Sequence, residues 1–296
     1  MKSKNLDFTY LINDDEAALK ILNAKGIPYT VVDYSDDLSN WENKIINDNK
    51  TDIWINDRFV STAKNAEKIK SSGSFLALID DVGDAEELCD VYFAGMISFT
   101  KNEYKAKRVY KGTDYIILNP EIKKYRKIRK AVNRVIVSLG GADPFDTSVS
   151  VAEELIKTDF EFDILLGGDA SCENKLSRIN RGRFKVFRNV PSAIQLFSGY
   201  DLAITGGGVT CCEANSAGLP CIIIANAPHE YNTGKYLEKI GSSVFAGGYD
   251  NWNHNLIDNI NDLNIEQMSK AGISSFTLDG AQNIIENILS EFNNAG

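Results

Sequence analysis

The chain has 296 residues, of which 43% are hydrophobic and 25% charged, enough for two domains that each bury a core. Its 32 basic and 41 acidic side chains leave a net charge of −9, which argues against a general nucleic-acid binder. No segment approaches the roughly 20 consecutive apolar residues of a membrane helix. The five cysteines form no Cys-x-x-Cys pair and no secretion signal precedes them, which predicts reduced thiols in the cytoplasm.

Short apolar runs alternate with amphipathic stretches in the first half of the chain, a pattern that predicts βαβ units and a largely parallel sheet. Helices are expected after Asp14 and over Ser61–Lys70. The basic run Lys123–Lys130 is interpreted as a solvated interdomain helix. The predicted strands are Phe8–Ile12, Tyr29–Tyr34, Asp52–Ile55, Phe75–Ile79, Val91–Phe93 and Tyr115–Leu118.

The same alternation continues in the second half. The polar segment Asn119–Asn133 is the predicted boundary between two α/β lobes, residues 1–120 and 131–296. The last apolar stretch, Gly280–Phe292, has helical spacing and could pack across both lobes. The predicted strands are Arg134–Leu139, Phe162–Leu166, Phe184–Phe187, Leu202–Thr205, Cys221–Ile224 and Ser243–Phe245, and the predicted helices are Thr147–Ile156, Pro191–Ser198, Thr210–Ala217 and Asn232–Ile240.

A buried strand, Leu202–Thr205, runs into three glycines, Gly206–Gly208, and a short helix follows at once. Glycines allow a tight turn and a close approach of the backbone, and the free N–H groups of a helix start attract an anion. The pattern therefore predicts a diphosphate site. Glu213 has two interpretations: it completes a Thr-x-x-Glu capping box with Thr210, or it reaches the ligand and accepts hydrogen bonds from a ribose.

Two further loops follow predicted strands. The turn at Gly140 and Gly141 is either an ordinary βα turn, with Asp143 or Asp146 as helix cap, or a second phosphate contact. The loop that carries His229 follows the strand next after the three glycines in the chain. His229 is therefore a candidate ligand contact, although a loop histidine is more often simply exposed.

These residues resemble the nucleotide-binding half of the GT-B superfamily, and in particular the pseudaminic-acid-pathway UDP-sugar hydrolases and the related spore-coat polysaccharide proteins. The segments that carry the resemblance are Gly206–Thr210 with Glu213, Gly218–Pro220, the pair His229-Glu230, Val137–Pro144, Leu78–Asp81, Gly112–Leu118 and Leu278–Gly280. The resemblance implies a GT-B-like α/β fold of two Rossmann-like lobes with mostly parallel sheets and a cleft between them. UDP would lie chiefly on the C-terminal lobe, with no metal or other cofactor.

Residue by residue, the resemblance implies a nucleotide site. Asn189 and Val190 would flank the uracil, and Glu213 would take the ribose. Glu230 stands where the family usually has glutamine and adds a negative charge beside the diphosphate. The phosphates would face the amides of Gly207, Gly208, Val209 and Thr210, with Gly140 and Gly141 opposite and His229 and Glu230 beside them.

The chain departs from this family at its front. The family's Gly-x-Gly-His-x-x-Arg turn is absent, the first strand of the lobe is missing with it, and no histidine precedes His229. Either the chain is a fragment of a larger protein or it is a diverged member with different chemistry. The resemblance implies that the histidine of that turn serves as the base, and its candidate substitutes here are three acidic residues at predicted strand ends, Asp57, Asp80 and Asp81. The alternative for each is a role as a cap or in a surface turn.

The resemblance implies a UDP-amino-sugar hydrolase of nonulosonic (pseudaminic) acid or surface polysaccharide biosynthesis, which cleaves the anomeric C–O bond and releases UDP. One alternative is a glycosyltransferase of the same fold. Another is a catalytically inactive UDP-sugar-binding module, once joined to a nucleotidylyltransferase or acting beside one in a pathway.

Overall fold

A computed structural model describes residues 6–33, 44–46, 51–188, 190 and 192–295. The chain divides into two compact units. The first unit comprises residues 1–93, 102–110 and 284–296, and the second comprises residues 94–101 and 111–283. Within the described ranges, no helix is long and apolar enough to cross a lipid bilayer.

The first unit contains short parallel strands and two early helices. β1 (Tyr10–Ile12) pairs in parallel with β2 (Tyr29–Val31), and α1 (Glu16–Ala24) connects them. β3 (Ile53–Asp57), β4 (Phe75–Ile79), β5 (Val91–Ala94) and β6 (Val109–Lys111) form a second sheet in that order. The last residues of β5 and β6, Ala94 and Lys111, belong to the second unit. α2 (Ala63–Ser71) joins β3 to β4, which are parallel, and begins where the Thr62 hydroxyl accepts the Asn65 N–H.

The second unit is built on a parallel sheet. In spatial order its strands are β12 (Ser243–Gly248), β11 (Cys221–Ala225), β10 (Leu202–Thr205), β7 (Arg134–Ser138), β8 (Glu161–Leu166) and β9 (Val186–Arg188). Each described pair in this order is parallel. The helices are α3 (Thr147–Leu155), α4 (Glu173–Ile179), α5 (Ala193–Phe197), α6 (Val209–Ser216), α7 (Glu230–Lys239), α8 (Asn255–Asp258) and α9 (Ile265–Ser275).

Strand β10 lies inside the six-stranded sheet of the second unit, and all four of its residues are buried. Its last residue, Thr205, is in register with Ser138 at the end of β7 and with Ile223 in β11. Because parallel strands end at a common edge, the turns after β7, β10 and β11 leave the sheet on the same side. Ligands of open parallel sheets bind at this carboxyl edge.

The last helix, α10 (Gly280–Ala295), contributes residues to both units. In the second unit, Asn283 donates from Nδ2 to the carbonyl oxygen of Asp114 at 2.8 Å. In the first unit, Phe292 packs edge-on against Phe75 with ring centroids 5.9 Å apart. The Glu291 carboxylate accepts the Tyr110 hydroxyl at 2.6 Å.

Two predictions made from the sequence around the middle of the chain are wrong. Residues 115–118 form no strand: a 3-10 turn covers Thr113–Tyr115, and Ile116 and Leu118 are buried as core side chains instead. The basic run is not a solvated helix, because a 3-10 turn ends at Tyr125 and Arg129 is only 1% exposed.

The guanidinium of Arg129 explains why this segment is buried. It donates to the main-chain carbonyls of Lys127, Phe197, Tyr200 and Ala217, which include carbonyls close to the ends of α5 and α6. Burial lowers the pKa of the Arg129 guanidinium to about 10, which leaves it charged at neutral pH. A cation that satisfies several carbonyl groups near helix C-termini is favoured there by the helix dipoles.

Candidate functional site

The turn after β10 opens a helix that has no side-chain cap. Gly208 is the N-cap residue of α6, in an extended conformation (φ −82°, ψ −156°), and no side chain bonds to the first turn of the helix. The first N–H groups of a helix have no partner within it and carry the positive end of its dipole. Among the described residues, no side chain caps this helix start, so the N–H groups of Val209 and Thr210 remain available to an anion.

Glu213 lies one turn into α6 and is half-buried. Burial raises the pKa of its carboxyl group above the ordinary value for glutamate. The capping box with Thr210 is not formed, since the helix begins at Gly208 and no side chain caps it. Within the described part of the chain, the Glu213 carboxylate has no hydrogen-bond or ion-pair partner.

Glu230, the first residue of α7, reaches into the glycine turn. Its Oε2 accepts the N–H of Gly207 at 3.0 Å and the N–H of Asn226 at 2.7 Å. The Ser98 hydroxyl donates to the carbonyl oxygen of Gly207 at 3.2 Å. Both the N–H and the carbonyl group of Gly207 are therefore hydrogen-bonded. The hydroxyl of Thr233 on α7 is hydrogen-bonded to the Ser98 hydroxyl, with the two oxygens 2.8 Å apart.

The close approach of Glu230 and Asn226 explains why two of the three positions in the turn are glycines. An alanine Cβ at Gly207 would lie 2.6 Å from the carbonyl oxygen of Glu230. A Cβ at Gly206 would lie 2.9 Å from Nδ2 of Asn226. These glycines therefore allow the start of α7 and the loop after β11 to approach the turn closely.

Asn226 connects the turns that leave the sheet edge. Its Nδ2 donates to the carbonyl oxygen of Leu139, directly after β7, at 2.9 Å. Its Oδ1 is buried and has no partner among the described residues. Just after β12, the Tyr249 N–H donates to Ala225 at the end of β11 at 2.9 Å. The structure thus brings together the turns after β7, β10, β11 and β12.

The turn after β7 contains two exposed glycines. Gly140 adopts φ +92°, a left-handed conformation that favours glycine, and nothing lies within 4 Å of a Cβ built on Gly140 or Gly141. The start of α3 is already occupied: the Asp143 carboxylate accepts the N–H groups of Thr147 at 2.9 Å and Ser148 at 3.1 Å. A further anion would therefore meet free helix amides at α6 rather than at α3.

The other predicted nucleotide contacts lie in the same unit. His229 is exposed just before α7, and its ring stacks against Phe99 with centroids 5.2 Å apart. Val190 is half-buried and packs against the hydrophobic core. Asn189 lies outside the described residues.

The three acidic candidates lie in the first unit, at the ends of β3 and β4. Asp81 is 1% exposed, and its Oδ1 accepts the N–H groups of Ser61 at 3.0 Å and Gly83 at 2.7 Å. Asp80 adopts a left-handed conformation (φ +50°) immediately after β4. Asp57 is the last residue of β3, and desolvation raises the pKa of its carboxyl group.

Comparison with known proteins decides the fold. MurG of Acinetobacter baumannii superposes with a TM-score of 0.68 at 13% identity, covering 98% of this chain and 92% of MurG. This chain has a GT-B fold. S. aureus MnaA, solved together with UDP, superposes with a TM-score of 0.65 at 14% identity, covering 92% of this chain and 86% of that one. The predicted α/β fold with parallel sheets in two lobes is confirmed.

The GT-B chain is also a distant homologue of a protein of polysaccharide synthesis. It is 24% identical over 216 residues to the spore coat polysaccharide biosynthesis protein SpsG of Bacillus subtilis, which covers 68% of this chain and 64% of SpsG. The chain spans between half and two thirds of the length of the curated relatives it matches. No known protein-family model matches it.

Two residues at the centre of the candidate site, Asn226 and Ser98, were not among the site residues predicted from the sequence. Asn226 lies two residues after the predicted strand Cys221–Ile224, in the turn at the site edge, and that position is a signal that could have found it. Ser98 contacts Gly207 from 109 positions away, in a segment without a motif, and only the folded chain reveals that contact.

Proposed function

We propose that the chain binds UDP, or a UDP-linked amino sugar, at the carboxyl edge of the six-stranded sheet in the second unit. The observation that carries this proposal is the uncapped start of α6 directly behind the glycine turn. The N–H groups of Gly208, Val209 and Thr210 would hold the diphosphate, because helix N-termini are suited to anions. The complex of MnaA with UDP, a protein of the same fold, supports the choice of nucleotide.

Glu213 would accept the two ribose hydroxyls. Its carboxylate is half-buried on the helix that carries the free amides, and no described residue pairs with it. An unpaired, partly buried carboxylate is costly for the fold, and ligand hydroxyls would offset that cost. Val190 and Asn189 would flank the uracil, and His229 with Gly140 and Gly141 would line the rest of the site.

The proposed reaction is hydrolysis of a UDP-linked amino sugar in surface polysaccharide or nonulosonic acid biosynthesis. Water attacks the anomeric carbon, the anomeric C–O bond breaks, and UDP leaves with the bonding electrons. The amides at the start of α6 would stabilise the charge that grows on the leaving diphosphate. The spore coat role of SpsG supports the polysaccharide setting.

Titration calorimetry with UDP tests the binding proposal. We expect micromolar to millimolar affinity for UDP and weaker binding of ADP and GDP. Glu213→Ala removes two hydrogen bonds to a charged acceptor, about 3 kcal/mol together, and should weaken UDP binding about 100-fold. Glu153→Ala, an exposed glutamate on α3, is the matched control. Absence of UDP binding at millimolar concentration, with another nucleotide bound, would contradict the proposal.

An inactive binding module is the second candidate, because the free amides at the start of α6 need only a bound anion and no catalytic group. A glycosyltransferase of the same fold is the third. Coupled detection of UDP release separates them: hydrolysis needs only water, transfer needs an added acceptor sugar, and a binding module releases no UDP in either case.

A further inference from the structure

Glu230 places a carboxylate in the position that a phosphate oxygen would take at the glycine turn. One oxygen, Oε2, accepts both the Gly207 N–H at 3.0 Å and the Asn226 N–H at 2.7 Å. Two main-chain N–H groups that converge on one oxygen form an anion-binding concavity. In this protein the concavity is filled by its own side chain.

The surrounding contacts hold this arrangement in place. The carbonyl oxygen of Gly207 accepts the Ser98 hydroxyl, and the side chain of Asn226 is bonded to Leu139. Glu230 itself begins α7, so its backbone is fixed by the helix. A ligand would therefore have to displace a preformed contact to gain the Gly207 N–H.

The second oxygen of Glu230 lies close to the start of α6. Oε1 lies 3.9 Å from the position of a Cβ on Gly208, the N-cap residue of α6. In the part of the chain that the structure describes, no lysine, arginine or histidine forms an ion pair with Glu230. An uncompensated negative charge thus stands beside the amides that the proposed function assigns to the diphosphate.

We propose that Glu230 sets the affinity of the site for the diphosphate group by opposing it. The carboxylate withholds the N–H groups of Gly207 and Asn226 from the phosphates, and its charge repels the phosphate bound at Val209 and Thr210. Bound UDP is therefore held less tightly than the fold allows, which favours its release after the reaction. This inference rests on the proposed function.

Glu230→Gln tests the inference directly. The glutamine carbonyl oxygen can still accept both amides, so the turn keeps its geometry while the charge is lost. We expect the Kd for UDP, measured by calorimetry, to fall about ten-fold (~1.4 kcal/mol). Glu153→Gln makes the same charge change at an exposed position of α3 and should leave the Kd unchanged.

Uridine separates repulsion of the phosphates from a structural effect. Uridine has no phosphate, so its affinity, measured by ligand-observed NMR, should be equal in the wild type and Glu230→Gln. If the glutamine variant does not fold, Glu230→Ala removes the charge, frees both amides and carries the same expectation of tighter UDP binding.

An unchanged or weaker affinity for UDP in the folded variant would overturn the inference, as would an equal gain in affinity for uridine. If the wild type binds UDP and the variant binds it no more tightly, only this inference is refuted. If the wild type does not bind UDP at millimolar concentration, the proposed function is refuted and the inference with it.

Discussion

Replacing Gly207 by alanine puts a methyl group where the start of α7 already lies. The new Cβ would stand 2.6 Å from the carbonyl oxygen and 2.7 Å from the Cβ of Glu230, closer than real Cβ atoms approach other atoms. The start of α7 must therefore move, and the bond from the Gly207 N–H to the Glu230 carboxylate lengthens or breaks. Overpacking costs about 1–3 kcal/mol, and a hydrogen bond to a charged group contributes about 1.5–3 kcal/mol. We expect the free energy of unfolding to fall by roughly 3 kcal/mol.

Urea unfolding followed by fluorescence and circular dichroism measures this loss. Gly141→Ala is the matched control, because no heavy atom lies within 4 Å of its Cβ and its φ is not left-handed. The control should stay within about 0.5 kcal/mol of the wild type. Equal stability of the two alanine variants would refute the close packing of α7 on the glycine turn, and with it the contact made by Glu230.

Three further substitutions test individual contacts by chemical unfolding. Glu213→Gln should increase the free energy of unfolding at neutral pH, because burial raises the pKa of this carboxyl group and penalises its charged form. The gain in stability should vanish as the pH falls below 4.5, where the carboxyl group is protonated in both states. The affinity of the same variant for UDP should drop about ten-fold. An unchanged stability of Glu213→Gln at every pH would count against its burial. Asp143→Ala removes the acceptor of two amides at the start of α3 and should lower the free energy of unfolding by about 2 kcal/mol. An unchanged free energy of unfolding would show that this carboxylate does not stabilise the helix start. Arg129→Met leaves main-chain carbonyls without their donor and should cost about 3 kcal/mol, and wild-type stability would contradict the buried role of this arginine.

The alternation of strands and helices was readable from the sequence where buried strands are bounded by turn residues. β4 and β10 have the predicted bounds, Phe75–Ile79 and Leu202–Thr205, because each is a fully buried apolar run with glycine close by. β6 was missed, since its residues Val109–Lys111 are only partly buried and contain no apolar run. α9, over Ile265–Ser275, was missed as well, although its start was readable: Asn264 is the N-cap residue, and its side chain accepts the N–H of Gln267.

The candidate site was predictable only in part. A strand that ends in three glycines before a helix indicates a free helix start, and that feature is present at Gly206–Gly208. The resemblance placed Glu230 beside these amides, but the hydrogen bond from the Gly207 N–H to its carboxylate, across 23 positions, is seen only when the neighbouring strands align. The choice between capping and ligand binding for Glu213 depended on where the helix begins, which spacing alone leaves open.

A titration of the isotope-labelled protein with UDP, followed through its backbone amide resonances, tests the central claim most directly. We expect the amide signals of Gly208, Val209 and Thr210 to shift most and to saturate together with UDP binding. If UDP binds while these amides stay unchanged, the diphosphate lies elsewhere and the assignment of the site to the start of α6 is contradicted.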